Sequence, residues 1–313
     1  NTLGTVQQQR VYNPETRKSE FNDYDNSFLI LLFGVIGFID DFAKVAKKQN
    51  EGLKPMQKIV LQVVAAVLWL AAMYWLGDRD THIDLGFVRF NISWFYYPLM
   101  VLVILYLTNA VNLTDGVDGL CGTVTLVAML IFTLICSKLQ MGCYTLFTMA
   151  LAGGCLGFLV WNLHPAKCFM GDTGSTFLGF VLATVSIQGL FKSYAIISFA
   201  VPFLVLGLPI FDTCFAFIRR IAHGQSPMHA DRGHIHHRLI DMGFSQKQAV
   251  AIAYMLTGIL GLAAVLLTSS GELKALILIA AIFIVSAIGF KLIFAKNDRS
   301  EDEPEEKQEE PHE

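Results

Sequence analysis

Long apolar stretches recur along the chain, and they restrict its fold more than any other feature of the sequence. A helix of about 20 apolar residues crosses a bilayer, where every backbone polar group must be satisfied internally. Nine stretches have this character, although the continuous apolar core of the first is short, from Phe28 to Ile39. They cover residues 24–42, 57–77, 94–112, 120–138, 143–162, 174–191, 194–218, 246–268 and 273–294. We therefore predict an all-α, polytopic bundle of about nine transmembrane helices.

The two ends of the chain differ from this apolar central part. Residues 1–27 form a polar segment without a cleavable signal peptide, and residues 295–313 form a strongly acidic tail. The composition of the tail predicts a disordered cytoplasmic segment. We predict that residues 28–294, between these two segments, form one transmembrane catalytic domain. The formal net charge of -3, without a basic stripe, argues against a nucleic-acid partner.

Basic residues are distributed unequally between the loops on the two sides of the predicted bundle. Nine spans place residues 43–56, 113–119, 163–173, 219–245 and the tail together on one side. Two of these loops, 43–56 and 219–245, carry clusters of lysine and arginine. The loops on the other side offer Arg79, Arg89 and Lys192. The positive-inside rule therefore assigns the first set to the cytoplasm.

Polar residues interrupt the spans in four motifs, and all four lie on the side assigned to the cytoplasm. Ionisable groups within membrane spans are costly and are usually functional. The motifs read GFIDDF, NAVNLTDGVDGL, WNLHPAKCFMGDTGS and GLPIFDT, the last followed by the loop MHADRGHIHHRL. They contain Asp40, Asp41, Asn109, Asn112, Asp115, Asp118, Asn162, His164, Lys167, Asp172, Ser175, Asp212, His234, His236, His237 and Arg238.

The residue types of these motifs point to phosphate chemistry with a metal ion. Adjacent carboxylates can both stay ionised when a divalent cation lies between them, and oxygen ligands suit Mg²⁺ or Mn²⁺. The glycines of DGVDGL and GDTGS allow backbone N–H groups to approach an anion closely. Lysine, histidine and arginine add positive charge or donors. This combination is typical of phosphoryl transfer, where positioning and charge neutralisation dominate.

Each motif alone has a simpler interpretation, and two other classes of protein share some features. An aspartate pair at a helix end is often a solvated terminus, and a DGVDG turn can be an ordinary tight turn or bind calcium. The three histidines could bind zinc, but no cysteine or second histidine pair has the spacing of zinc ligands. Asp212 can form an ion pair with Arg219 or Arg220. For the whole chain, the alternatives are an ion-coupled transporter and a non-catalytic membrane scaffold.

The motifs together resemble those of the polyprenyl-phosphate N-acetylhexosamine-1-phosphate transferase superfamily. The resemblance rests on GFIDDF, NLTDGVDGL, HPAKCFMGDTGS, LPIFDT and HADRGHIHHRL, in this order, and covers residues 28–294. It implies a multi-pass enzyme of the bacterial cytoplasmic membrane whose active site faces the cytoplasm. The implied reaction transfers a sugar 1-phosphate from a UDP-N-acetylhexosamine to undecaprenyl phosphate and releases UMP. The implied cofactor is Mg²⁺, with Mn²⁺ as the alternative.

The resemblance also implies a role for each motif. The aspartate pair matches a site near the lipid phosphate and metal, the DGVDG loop lines the nucleotide site, and the histidine loop closes the site. The expected groups are the catalytic Asp40, Asp41, Asp172, His234, His236 and His237; the substrate-binding Asn109, Asn112, Asp115, Asp118, Lys167 and Arg238; and the metal-binding Asp212, Asp40 and Asp41.

Two subfamilies compete for the identity of the sugar. The stretch DDFAKVAKKQNEGLKPMQK resembles the phospho-N-acetylmuramoyl-pentapeptide transferases of peptidoglycan synthesis. The loop HADRGHIHHRL lacks their three consecutive histidines and resembles the N-acetylglucosamine type, which serves teichoic acid, O-antigen or related polymers. Two predicted spans follow this loop, where the muramoyl type is expected to have one. Because the histidine loop lies nearest the sugar in the family, we expect UDP-N-acetylglucosamine as the donor.

The N-terminal segment departs from the family pattern. The family normally begins with two more helices joined by a cytoplasmic loop rich in glycine and proline, and residues 1–27 match neither feature. The resemblance implies that this glycine- and proline-rich loop forms part of the lipid-phosphate site. Residues 1–27 do not supply that part. It is also compatible with a homodimer, for which the sequence contains no motif.

Overall fold

The computed structural model describes residues 27–48, 52–79, 81–84, 89–190, 197–222, 224 and 233–268. The regular secondary structure in these ranges is helical apart from one short hairpin. The hairpin pairs β1 (His82–Asp84) with β2 (Arg89–Asn91) in antiparallel register, and a 3₁₀ turn, Ser93–Phe95, follows it. The helices are α1 (Ser27–Lys47), α2 (Pro55–Trp75), α3 (Tyr96–Thr114), α4 (Leu120–Lys138), α5 (Gly142–Asn162), α6 (Gly171–Thr184), α7 (Ile197–Val205), α8 (Gly207–Ala222), α9 (Ile235–Asp241) and α10 (Gln246–Leu267).

Five helical segments in the described part of the chain are long and apolar enough to cross a membrane. They confirm the predicted spans 57–77, 94–112, 120–138, 143–162 and 246–268 to within a few residues. The chain is therefore a multi-pass membrane protein. The segments are Pro55–Trp75, Ser93–Thr114, Leu120–Lys138, Gly142–Asn162 and Gln246–Leu267.

The other predicted spans differ in form. Helix α1 carries four charged residues in its last two turns, and α6 continues into a π-helix, Val185–Leu190. The stretch 194–218, predicted as one span, forms two helices that meet at Leu206. Pro202 lies inside α7 and Pro209 in the first turn of α8, and proline cannot donate the helical N–H bond. The predicted span 273–294 lies outside the described residues, so the total of nine spans remains a prediction.

Helix α6 lies at the centre of the described bundle and packs against α1 and α3. Phe180 of α6 stacks on Phe33 of α1 at 3.9 Å between ring centroids, and Trp69 of α2 meets it edge-on at 5.8 Å. Glycine permits the closest approach, because a Cβ on Gly37 would lie 2.2 Å from the Asp172 carbonyl oxygen. The GFIDDF and GDTGS motifs are therefore held against each other by helix packing.

Hydrogen bonds between helix ends bring the polar motifs together at one end of the bundle. Side chains at the C-terminal ends of α1 and α3 bond to the first turn of α6. The C-terminal residue of α5, Asn162, bonds to the residue that precedes α4. The hairpin follows the opposite end of α2. Motifs that are up to 132 residues apart in sequence thus share one end of the fold.

Candidate active site

Three aspartates form the centre of this polar end. One carboxylate oxygen from each of Asp40, Asp41 and Asp172 can be chosen so that all three lie within 4.8 Å of one another. Asp40 is only 3% exposed, and its Oδ1 accepts a hydrogen bond from the Leu53 backbone N–H at 2.7 Å. Within the described ranges, this is the one group of histidine, cysteine or acidic residues with a spacing that suits a metal ion.

Two lysines neutralise most of this negative charge. Lys44 Nζ lies 2.8 Å from Asp40 Oδ2 and 3.2 Å from Asp41 Oδ1, and it also contacts Asp172 Oδ2. Lys58 Nζ lies 2.7 Å from Asp172 Oδ1. Sequence reasoning missed both lysines as site residues. The spacing of Lys44 from the aspartate pair, three and four residues, placed it on the same helix face and was the available signal.

Asp41 caps helix α6 from outside. Its Oδ2 accepts hydrogen bonds from Thr173 N–H at 2.8 Å and from Thr173 Oγ1 at 2.7 Å, and its Oδ1 accepts one from Asp172 N–H at 3.3 Å. The first N–H groups of a helix lack intrahelical partners and favour an anion. Gly171 precedes them at φ +65, where a Cβ would lie 2.7 Å from Asp41 Oδ2. The cap therefore fixes Asp41 relative to Asp172.

Asn112 connects the end of α3 to the aspartate group. Its Nδ2 donates to Asp172 Oδ1 and to Ser175 Oγ, both at 2.7 Å. Ser175 Oγ in turn donates to the Gly171 carbonyl at 2.7 Å. The side chains of Asn112 and Asp172 are thus held in direct contact, as expected for two members of one site.

The DGVDG loop is tied to the loop that follows α5. Asp118 Oδ2 lies 2.9 Å from His164 Nδ1 and accepts a hydrogen bond from Ala166 N–H at 3.1 Å. Buried Asn162 accepts from Gly119 N–H at 3.1 Å and donates to the Cys168 carbonyl at 2.9 Å. These bonds hold the two loops at a fixed spacing. Neither Asn162 nor His164 was assigned a role from the sequence, although both were noted in the motifs.

Asp115 is the first residue of the DGVDG loop and is close enough to the aspartate group to be affected by its charge. Burial raises the pKa of Asp115 to about 6, and the charges of Asp172, Asp41 and Asp118 add to the effect. The carboxyl group therefore experiences the negative potential of three other aspartates. A cation bound nearby would lower this pKa again.

The histidine loop meets the DGVDG loop from the other side. The ring of His236 is buried, and its Nε2 has no hydrogen-bond partner. A Cβ on Gly116 would lie 2.3 Å from this nitrogen. Burial lowers the pKa of His236 to about 4, and the charges of His237 and His234 act in the same direction against that of Asp212. His236 is therefore neutral at pH 7 and lies directly against the loop.

Asp212 is not a member of the aspartate group, in contrast to the grouping expected from the sequence. Its Oδ2 lies 2.8 Å from His234 Nδ1, and its Oδ1 accepts a hydrogen bond from Ile235 N–H at 2.8 Å. Asp172 occupies the third position beside Asp40 and Asp41 instead. The physical reason is that α8 turns Asp212 toward α9, whereas the first turn of α6 packs against α1.

Two other predicted substrate-binding residues, Asn109 and Lys167, have partners outside the aspartate group. Asn109 Nδ2 donates to Gln62 Oε1 and to the Leu105 carbonyl, both at 2.8 Å, so this side chain joins α3 to α2. Lys167 Nζ lies 5.6 Å from the centre of the Trp161 ring. Arg238 follows His237 in α9. Their roles in substrate binding remain predictions.

Comparison with known proteins assigns this arrangement to a family. The profile of glycosyl transferase family 4 matches residues 26–190, a range that contains the aspartate group and the DGVDG loop. A probable undecaprenyl-phosphate N-acetylglucosaminyl 1-phosphate transferase of Bacillus subtilis is 36% identical over 248 residues, which cover 78% of this chain and 64% of that protein.

Phospho-N-acetylmuramoyl-pentapeptide-transferases are also similar to this chain. The protein of Clostridium beijerinckii is 37% identical over 240 residues, 74% of this chain and 70% of its own length. The protein of Heliobacterium modesticaldum is 45% identical over 160 residues, 50% of each chain. The chain thus spans between 50% and 70% of the length of these relatives.

Proposed function

Because the chain belongs to glycosyl transferase family 4, we propose that it transfers N-acetylglucosamine 1-phosphate from UDP-N-acetylglucosamine to undecaprenyl phosphate. The products are the lipid-diphosphate sugar and UMP. The observation that carries the proposal is the group of Asp40, Asp41 and Asp172, with Lys44 and Lys58, at one end of a membrane bundle. Both a water-soluble nucleotide and a membrane lipid can reach such a place.

The residues of the aspartate group fit a divalent cation. Oxygen ligands within 4.8 Å of one another suit Mg²⁺, or Mn²⁺ as the alternative, and the three carboxylates exceed the two lysines by one negative charge. Asp40, Asp41 and Asp172 would hold the ion. When bound, it neutralises charge on the donor diphosphate. We therefore assign the third metal-binding position to Asp172, in place of Asp212.

The chain's own residues position the two phosphates for an in-line displacement. An oxygen of the lipid phosphate forms a bond to the phosphorus that carries the sugar, and the bond from that phosphorus to the UMP oxygen breaks. A lipid phosphate is already mostly ionised at neutral pH, so the reaction does not require proton removal by Asp40 or Asp41. Lys44 and Lys58 provide positive charge beside the reacting phosphates.

The loops around the aspartate group bind the rest of the donor. The uridine meets the loop with Asn112, Asp115 and Asp118, which is tied to the loop after α5. The histidines His234, His236 and His237, with Arg238, contact the diphosphate or the sugar from the opposite side. The contact of His236 with Gly116 supports this arrangement, because it joins the two loops directly.

We assign the protein to the bacterial cytoplasmic membrane, with the active site on the cytoplasmic face. The clusters of basic residues in loops 43–56 and 219–245 belong to the same predicted side as the motifs of the aspartate group and support this orientation. The assignment includes nine spans in a domain of residues 28–294, between the polar segment 1–27 and the acidic tail 295–313. Carboxylates at helix ends do not favour a transporter, whose site lies near the bilayer midplane.

A second candidate donor is UDP-N-acetylmuramoyl-pentapeptide. Relatives with both names are similar to this chain at almost equal identity, 36% and 37%. The histidine loop HADRGHIHHRL favours N-acetylglucosamine, because it resembles that subfamily in the part of the site nearest the sugar.

UMP release by the purified chain tests the proposal. The chain is incubated with undecaprenyl phosphate and Mg²⁺, and with UDP-N-acetylglucosamine or UDP-N-acetylmuramoyl-pentapeptide. We expect turnover with the first donor, loss of turnover in EDTA, and loss in Asp172→Asn. Turnover with the second donor alone would assign the chain to peptidoglycan synthesis, and metal-independent turnover would refute the role of the aspartate group.

A further inference from the structure

A buried carboxylate–imidazole pair joins helix α8 to helix α9. Asp212 is 8% exposed and His234 is 5% exposed, and Asp212 Oδ2 lies 2.8 Å from His234 Nδ1. The other oxygen, Oδ1, accepts a hydrogen bond from Ile235 N–H at 2.8 Å. Both oxygens of Asp212 are thus bound to the segment that begins α9.

Asp212 supplies the cap that α9 does not provide for itself. The helix begins at Ile235, and the preceding residue, His234, makes no capping bond with its own side chain. A helix start leaves backbone N–H groups without intrahelical partners, and an acidic group there is favourable. Asp212 satisfies the first of these N–H groups and so fixes the start of the histidine segment to α8.

The same carboxylate determines which nitrogen of His234 carries the proton. An ionised carboxylate only accepts hydrogen bonds, so the proton between the two side chains resides on Nδ1. In the neutral ring, Nε2 is then an acceptor. The ring of His234 also lies parallel to that of His236, with centroids 5.8 Å apart and an interplanar angle of 4°. Its orientation is therefore coupled to the row of histidines that meets Gly116.

We propose that Asp212 is a positioning residue that acts through His234, and that His234 Nε2 accepts a hydrogen bond from the sugar of the donor. This inference rests on the proposed function. An acceptor nitrogen matches a sugar hydroxyl or acetamido N–H, whereas a phosphate oxygen requires a donor. Asp212 thus contributes to recognition of the N-acetylhexosamine and does not bind the metal.

The tautomer of His234 provides a test that does not depend on activity. Nitrogen-15 NMR of the histidine-labelled chain in lipid distinguishes a protonated Nδ1 from a protonated Nε2. The signals of His234 are identified by their loss in His234→Asn, whose amide can still donate to Asp212. We expect the proton on Nδ1. A neutral ring with the proton on Nε2 would overturn the proposal, whether or not the chain turns over the expected donor.

A double-mutant cycle tests the functional coupling. Asp212→Asn offers its amide N–H to Nδ1 and so inverts the tautomer. We expect Asp212→Asn and His234→Asn each to lower kcat/KM for UDP-N-acetylglucosamine at least about tenfold, which corresponds to the loss of about one hydrogen bond to the substrate. The double variant should match the weaker single variant within about twofold. The Mg²⁺ concentration for half-maximal rate should stay unchanged in both single variants.

The control is Asp241→Asn, the same chemical change at an exposed position of α9, which should retain full activity. Multiplied losses in the double variant would show that Asp212 and His234 act independently and would overturn the proposal. A raised Mg²⁺ requirement in Asp212→Asn would return Asp212 to the metal site and would overturn it as well. Thermal unfolding in detergent checks that each variant is folded. If Asp212→Asn does not fold, the NMR measurement on the unmodified chain decides the question.

Discussion

Replacement of Lys44 by methionine removes the cation that touches all three carboxylates of the aspartate group. Lys44 Nζ lies 2.8 Å from Asp40 and 3.2 Å from Asp41, and it contacts Asp172 as well. Methionine keeps the apolar stem but leaves the three carboxylates with Lys58 as their remaining lysine partner among the described ion pairs. Without a divalent ion, the carboxylates then repel one another more strongly.

The burial of the group sets the size of the effect. Breaking a fully buried ion pair costs about 3–5 kcal/mol, whereas an exposed pair contributes about 0–1 kcal/mol. The side chain of Lys44 is 31% exposed and that of Asp40 is 5% exposed, so we expect an intermediate loss of about 2 kcal/mol. A loss of this size lowers Tm by about 4–8 °C in domains of 150–250 residues, so in this larger domain we expect a fall of about 4 °C in EDTA.

Mg²⁺ should restore this stability, and it should bind the variant more tightly than the original chain. Binding at 100 times Kd adds about 2.7 kcal/mol to the folded state. Loss of a neighbouring positive charge strengthens cation binding by at least about 1.4 kcal/mol, or about tenfold. The Mg²⁺-induced rise in Tm should therefore be larger in Lys44→Met than in the original chain.

The assay is thermal unfolding in detergent across a Mg²⁺ titration, with Lys47→Met as the matched control. Lys47 lies in the same helix, and its residue is exposed. We expect Lys47→Met to follow the original chain at every Mg²⁺ concentration. An unchanged Tm of Lys44→Met in EDTA, or an equal Mg²⁺ shift in both variants, would refute the account of the aspartate group as a cation site.

Three further predictions concern single contacts. Thr173→Val removes the hydroxyl that donates to Asp41 at 2.7 Å, so we expect it to lower stability by about 1 kcal/mol and to lower turnover. Thr173→Ser keeps the hydroxyl and should retain both stability and turnover. Equal Tm and rate in the two variants would contradict the capping role. Gly116→Ala places a Cβ 2.3 Å from His236 Nε2 and should lower turnover. Gly142→Ala, whose Cβ would have no atom within 4 Å, is the control and should not lower it. A normal rate in Gly116→Ala would show that the contact between the two loops is not needed for catalysis. Burial raises the pKa of Asp115 from 3.8 to about 6, so the folded chain holds this proton more tightly than the unfolded chain, and the resulting stability is present below about pH 4 and lost as pH rises through about 6. In EDTA, Asp115→Asn should therefore equal the original chain in stability near pH 4 and exceed it by about 3 kcal/mol well above pH 6, because one pKa unit corresponds to about 1.36 kcal/mol. Parallel Tm curves from pH 4 to 8 would contradict the shifted pKa.

The positions of the membrane helices followed from local sequence, because hydropathy and length are properties of each segment alone. The span predicted as 120–138 is the helix Leu120–Lys138, and 57–77 is Pro55–Trp75. The division of 194–218 was missed, since its apolar composition continues through the break at Leu206. Pro202 and Pro209 were the available signal.

The composition of the candidate site was only partly accessible in the same way. The polar motifs predicted which ends of the helices would carry it, and Asp40, Asp41, Asn112 and Asp172 do lie together there. The pairing of Lys58 with Asp172, 114 residues away, depends on helix packing and has no local signature. The direction of Asp212 depends likewise on the rotation of α8, which its position near a span end does not reveal.

Transfer of phosphorus from the donor to the lipid is the most direct test of the central claim. The chain is given UDP-N-acetylglucosamine labelled with ³²P in the phosphate that carries the sugar, together with undecaprenyl phosphate and Mg²⁺. We predict that the label enters the lipid fraction and that unlabelled UMP appears in equal amount. Label retained in the aqueous fraction as UDP, with sugar alone on the lipid, would show plain glycosyl transfer and contradict the account.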